Sequence, residues 1–238
     1  MNALFDYPSQ AKFGRIVAKN KIYDRIKPTR KIQDAFVSQV GKITWKYKLA
    51  PKTTNLSETA KVKEIEVFEI ALKLDNQTKS IDNNILQCID KAIAHPIIFH
   101  LTYADKIKVI AAYKRPSEAG ASKWVTGDEY FETDWLPLDT ERQKLPVVLN
   151  LASLYEHILR ELIPLQSREN ESLESHIERM ERVIAKDKEL KKLEARMNKE
   201  KQFNRKVEMN AELRALSNEI KQLRKVESQH DVKATIRA

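Results

Sequence analysis

The chain has 238 residues, 42% of them apolar and 32% charged, with a formal net charge of +9, four glycines and a single cysteine. That is enough apolar material for one sizeable core plus an appendage, and too little cysteine for an internal disulfide or a cysteine-built zinc cage. No apolar run is long enough to span a bilayer, and the opening Met1-Asn2-Ala3-Leu4-Phe5-Asp6-Tyr7-Pro8 lacks the basic and apolar segments of a signal peptide, so a cytoplasmic protein is expected.

Along the chain, Ser9 is placed to cap a short turn carrying Ala11 and Phe13. Thr29, after Pro28, can cap a helix whose inner face is Ile32, Phe36, Val37 and Val40, with Gly41 as its stop. Residues 43–49 alternate strictly, turning Ile43, Trp45, Tyr47 and Leu49 inward and Thr44, Lys46 and Lys48 outward, as in a half-buried strand. A loop from Pro51 to Ser57 leads to a second, more apolar strand over Ile65–Leu72. Ser80 precedes a helical pattern of Ile81, Ile85, Ile89 and Ile93, closed by Pro96. Cys88 falls inside that pattern and reads as a buried, inert thiol. Strands are expected over Ile97–Tyr103 and Lys106–Tyr113, joined as a hairpin through Ala104-Asp105. Lys114 to Lys123 reads as a loop, followed by short strands at Trp124-Val125 and Tyr130-Phe131. After Pro137 and Pro146 an apolar helix carries Leu154, Tyr155, Ile158, Leu159 and Leu162, and Pro164 ends it. The pattern predicts an α+β domain over residues 1–164, its sheet mostly antiparallel with flanking helices, then a long helical arm over 165–226 and a flexible tail over 227–238.

The arm is the most distinctive segment, because Leu165 to Ala238 contains neither glycine nor proline. Its apolar stripe runs Leu173, Ile177, Met180, Ile184, then Leu190, Leu193, Met197, then Leu213, Leu216, Ile220, Leu223. The spacing resembles a coiled-coil seam, but Asp187 interrupts it and the register shifts at least twice, which a long regular supercoil disfavours. A stripe of this kind needs cover. A second copy, a hairpin folded at the polar patch Asn198–Lys206, or another protein would each provide it.

Charge is distributed unevenly. Residues 1–60 carry 12 Lys/Arg against 4 Asp/Glu, whereas 61–166 carry 13 against 16. The candidate nucleic-acid contacts are therefore Lys12, Arg15, Lys19, Lys21, Arg25, Lys27, Arg30 and Lys31, interleaved with Phe13 and Tyr23, together with Lys46 and Lys48 from the strand and Lys114 and Arg115 from the loop. The plainer reading is a solvated basic face. No reader motif is present.

No dinucleotide fingerprint, phosphate loop or nucleophile elbow occurs, and no cofactor or metal is expected. Asp128, Glu129, Glu132 and Asp134 fit no calcium loop and read as a solvated acidic turn. His95, His100, His157, His176 and His230 are scattered and read as structural. A nuclease of degenerate restriction type would need two carboxylates beside a lysine. Glu69, Asp105 and Lys114 are the candidates, with Ala112 standing where such a site carries glutamate.

Several strings resemble those of a known family. They are Asn2 to Pro8, Phe13-Gly14-Arg15, Lys19 to Tyr23, Ala111 to Ser117 with Lys123-Trp124-Val125, Thr133-Asp134-Trp135, and Lys201 to Glu208. Together they resemble the bacterial domain-of-unknown-function family 4391 over nearly the whole chain. The resemblance implies no reaction and no site residue. It implies a setting beside helicases and DNA methyltransferases of restriction or phage-defence type. The expectation is a non-enzymatic accessory subunit that contacts a partner or nucleic acid through its N-terminal face and is tethered by its arm to a helicase, a methyltransferase or a second copy. A metal-dependent nuclease and a purely structural homodimer are the alternatives.

Overall fold

The computed structural model describes residues 3–73, 80–117 and 120–226. The expected tail and His230 lie outside the described residues. The chain divides into two compact units, Met1–Leu162 and Ile163–Ala238.

In the first unit, strand β1 (Phe5–Asp6) and a 3-10 turn (Ser9–Ala11) lead into β2 (Lys12–Ile16). Helices α1 (Lys19–Ile26) and α2 (Arg30–Gln39) follow, then β3 (Val40–Leu49), the single turn α3 (Pro51–Thr54), β4 (Ile65–Leu72), α4 (Asn83–Ala92) and β5 (Ile97–Tyr103). The unit continues with β6 (Lys106–Ser117), β7 (Gly120–Glu132), the short β8 (Leu136–Pro137) and β9 (Gln143–Lys144), and α5 (Leu151–Leu162).

The main sheet has the order β2-β3-β4-β5-β6-β7, with β8 also paired to β6. Most pairs are antiparallel, but β4 and β5 run parallel, so the sheet is mixed. The reason is the connection: a parallel neighbour needs a crossover long enough to return the chain to the same end, and α4 with its flanks provides it. The sheet is thus mostly antiparallel, as expected, and mixed only through this pair.

Strand β4 shows why the sheet carries helices on both sides. Ile65, Glu66, Val67 and Phe68 are buried in succession, so both faces are covered. On one face Phe68, Ile70, Phe99 and Ile110 join Ile22, Phe36, Ile85 and Ile89 of α1, α2 and α4. Val67 and Ile98, out of phase with these, are buried on the other face, and α5 packs on β6 and β7. Its Tyr155 hydroxyl donates to the Ala112 carbonyl at 2.9 Å and accepts from the Lys114 amide at 2.9 Å. Cys88 is buried and free in α4.

Two further differences from the sequence expectation concern length. Lys114 to Ser117 continues β6 instead of opening a loop, and the two short strands around Trp124 and Tyr130 are parts of the 13-residue β7. Long hairpin partners satisfied by pairing need no strong local signal. Helix α1 was also unforeseen: only Ile22 in it is fully buried, and its many cations mask the periodicity.

In the second unit, α6 (Leu173–Lys199) and α7 (Phe203–Arg224) pack against each other as a helical hairpin. Lys186–Glu219 and Asp187–Arg224 ion pairs run between them. The turn falls in the polar patch, and no residue there is left-handed. Instead the Glu200 carboxylate accepts the amides of Lys201 and Gln202 at 2.7 and 2.9 Å. Of the stripe, Leu173, Ile177, Met180, Leu193, Leu216 and Ile220 are buried, while Ile184, Leu190, Met197, Leu213 and Leu223 are half-buried. Phe203 and Val207 stay exposed.

The hairpin is closed by a buried arginine. Arg179 holds Glu171 through two hydrogen bonds of 2.7 Å and donates to the carbonyls of Gln166 and Leu223 at 2.8 and 2.9 Å. Those bonds hold the Glu171 carboxyl down to about 2, against the opposing effect of burial. A depressed carboxylate contributes stability above its unfolded value and loses it as pH falls through its folded value. Thermal melts of wild type and Glu171→Gln should therefore differ by on the order of 2 kcal/mol at pH 7, and the gap should close between about pH 4.5 and pH 2. A gap that persists at pH 2 would contradict the Arg179–Glu171 assignment.

Candidate functional site: a basic groove and a buried carboxylate

The sequence-predicted cations fall into two sets, and helix ends do the sorting. An α-helix leaves its last carbonyls unpaired, and glycine usually provides the turn that satisfies them. Here α2 ends on Val40 and α4 on Ile93, both in extended conformation. The Val40 and Ile93 amides reach back to the Phe36 and Asp90 carbonyls, and long cations add further donors at both ends. Lys19 donates to the Phe36 and Val40 carbonyls at 2.8 and 2.6 Å. Arg25 donates to the Ala92 carbonyl at 2.8 Å. Lys114, only 2% exposed, donates to the Asp90 and Ile93 carbonyls at 2.5 Å each and lies 3.5 Å from the Asp90 carboxylate.

Lys114 is therefore an internal tie between β6 and the end of α4, and the surface loop expected around it is replaced by strand. Tyr130 on β7 completes the group, donating to Asp90 at 2.6 Å. Burial pulls the Lys114 ammonium down, with Asp90 opposing that shift. Burial pushes the Asp90 carboxyl up to about 6, in spite of Lys114 and Tyr130.

Lys46 is ion-paired to Glu69, and Lys48 to Glu64 at 2.9 Å. Lys12, Lys27, Arg30 and Lys31 are exposed, and Arg115 is half-buried within β6. Arg15, Lys21 and Arg25 line one cavity of about 250 Å³, together with Phe13, Ile16, Val17, Ile22, Trp45, Phe68, Ala92 and Ile93.

This groove lies at the β2 edge of the sheet. Gly14 (φ 66°) sits where the β2–β3 register slips, a bulge that only glycine enters without strain. Beside it the Arg15 guanidinium lies 4.5 Å from the centre of the Phe13 ring. Phe13 packs on Trp45 at 4.5 Å, and Trp45 stacks on Phe68 at 5.5 Å. A continuous column thus runs from a surface cation to the core. Ile16, 68% exposed, continues the apolar rim.

Trp45 also marks where the groove meets a second feature. Its indole N–H donates to Glu66 Oε2 at 2.8 Å. Glu66 is fully buried, and its Oε1 has no hydrogen-bond partner. Burial pushes its carboxyl up to about 8, with the Trp45 bond and Lys48 opposing and Glu64 adding to the rise. Glu64, Glu66 and His95 bring one ligand-type atom each to within 4.8 Å of one another. From the sequence, Glu64 and Glu66 were passed over and His95 was read as structural. The available signal was a lone carboxylate, Glu66, inside the apolar run Ile65-Glu66-Val67-Phe68, where an unpaired charge is costly.

The nuclease candidates do not come together. Glu69 alternates with Glu66 and Phe68, so it faces the other side of the sheet, and it pairs with Lys46. Asp105 sits exposed in the β5–β6 turn after Ala104 (φ 51°), on the order of 30 Å along β6 from Lys114.

Removing the buried ammonium should be costly, since the Asp90 and Ile93 carbonyls each lose a donor and the buried Asp90 carboxylate is left with the Tyr130 hydroxyl and no cation. Lys114→Met is expected to lower unfolding free energy by about 3–5 kcal/mol, read from urea denaturation. A loss under about 1 kcal/mol would show that the helix end is satisfied in another way.

No curated protein and no solved structure matches the chain. The resemblance noted in the sequence is matched by a family model over residues 5–220, and the chain belongs to the family described as domain of unknown function DUF4391.

Proposed function

We propose that the chain is an accessory subunit of a DNA-processing complex and that it holds single-stranded nucleic acid in the groove at the β2 edge. The observation that carries this reading is the Arg15–Phe13–Trp45 column flanked by Lys21 and Arg25. Single strands are held by aromatic faces and guanidinium planes that stack bases, beside cations that follow the phosphates. The cavity of about 250 Å³ is smaller than the roughly 300–1,000 Å³ of sites that enclose a small molecule. It suits one base or one phosphate of a longer strand.

The net positive charge of the first 60 residues supports the same reading by drawing a polyanion to this face. The DNA-processing setting is the expectation drawn from the resemblance in the sequence analysis and is part of the proposal. Tethering through the arm would rest on the part of its apolar surface that the hairpin leaves open, chiefly Phe203 and Val207 at the start of α7.

Arg15 and Lys21 are exposed, so they can be changed without opening the core. A labelled single-stranded oligonucleotide followed by fluorescence anisotropy should bind the full chain at low salt, and Arg15→Ala/Lys21→Ala should weaken it about tenfold. The double variant should also reduce the slope of log K against log salt by about 1.4, since each single-strand phosphate contact contributes about 0.7. Undetectable binding of the wild type at 50 mM salt, or equal binding by the variant, would refute the proposal.

A further inference from the structure

We infer that Glu64, Glu66 and His95 form a binding site for one divalent transition-metal ion, with zinc or manganese as the fitting chemistry. The backbone brings them together. Glu64 precedes β4, Glu66 is its second residue, and His95 lies in the short link between α4 and β5. Parallel pairing of β4 with β5 puts Glu66 opposite Ile97, and the Glu66 amide donates to the Pro96 carbonyl at 2.9 Å. The crossover therefore fixes the link beside the start of β4.

Two observations point to a ligand. The first is geometric: among the described residues, the ligand atoms of these three converge within 4.8 Å. Around one ion with bonds of about 2.0–2.2 Å, tetrahedral donors stand roughly 3.3–3.5 Å apart. The second observation is independent of the clustering: Glu66 is fully buried, Trp45 satisfies its Oε2, and its Oε1 has no partner. One nitrogen of His95 is likewise buried without a partner, while its Nε2 stands 3.8 Å from Glu64. Buried polar atoms left unpaired in a native fold call for an ion or a water.

The donor set selects the class of ion. An imidazole with two carboxylates suits zinc or manganese, whereas calcium and magnesium favour all-oxygen sites. Three protein ligands leave a fourth position for water. Lys48, 2.9 Å from Glu64, is the competing cation and balances part of the local negative charge.

The test uses the chelator-stripped full chain and ZnCl2, with a chromophoric chelator as competitor. One equivalent should bind saturably, and Glu66→Gln and His95→Ala should each weaken it at least tenfold. Glu69→Gln, altered on the opposite face, should bind like the wild type. Circular dichroism in chelator checks that the variants fold. If they do not, diethylpyrocarbonate mapping of the wild type still decides: zinc should protect His95 and leave His157 labelled as before. No saturable uptake, uptake unchanged in both folded variants, or His95 labelling indifferent to zinc would each overturn the site, leaving Glu66 as a carboxyl that shares a proton with Glu64.

Discussion

The unpaired carbonyls at helix ends are the constraint from which much of this structure follows. With four glycines in the whole chain, the usual left-handed glycine cap is scarce, and the ends of α2, α4 and α7 are met by cations from distant parts of the sequence. Lys19 serves α2, Lys114 and Arg25 serve α4, and Arg179 serves α7. Arg168 adds to the last, donating to the carbonyls of Gln222 and Lys225 at 3.1 and 3.2 Å. Each bond brings a donor to a carbonyl at or near a helix end and places a positive charge at the negative end of the helix. Each also joins elements remote in sequence: Lys114 ties β6 to α4, and Arg25 ties α1 to α4.

This arrangement divides the basic residues of a basic protein. Lys19 and Lys114 spend their charge on internal carbonyls, and Lys46 and Lys48 are taken by Glu69 and Glu64. What remains for a polyanion is a smaller set, concentrated where Arg15 and Lys21 flank the Phe13–Trp45 column. The proposed nucleic-acid groove is thus defined as much by the cations withdrawn from the surface as by those left on it. Trp45 connects it to the buried Glu66, with one face of its ring in the column and its N–H on the carboxylate.

The sequence made much of the fold legible. Strict alternation over 43–49 marked β3, the apolar run over 65–72 marked β4, and the isoleucine ladder from Ile81 marked α4. The parallel pairing of β4 and β5 was not legible, because a helix between two strands is compatible with either direction until the sheet order is known. Lys114 misled for a physical reason: followed by Arg115 and Pro116 it has the composition of a loop, and only tertiary contacts from α4 make its burial affordable. Glu66 carried a readable signal, a charge within a buried run. Its companions Glu64 and His95 are ordinary in isolation and gain meaning only when β4 meets the start of β5. In the arm, the break at Asp187 becomes intelligible once Arg224 of α7 is seen to pair with it at 2.6 Å.

Lysine acylation of the native full chain, mapped by mass spectrometry, tests the division of cations most directly. Lys19 and Lys114 should resist labelling until the chain unfolds, whereas the exposed Lys12, Lys21, Lys27 and Lys31 should label readily. Labelling of Lys114 in the native state as fast as Lys21 would contradict the claim that cations from remote elements, in place of glycine, serve these helix ends.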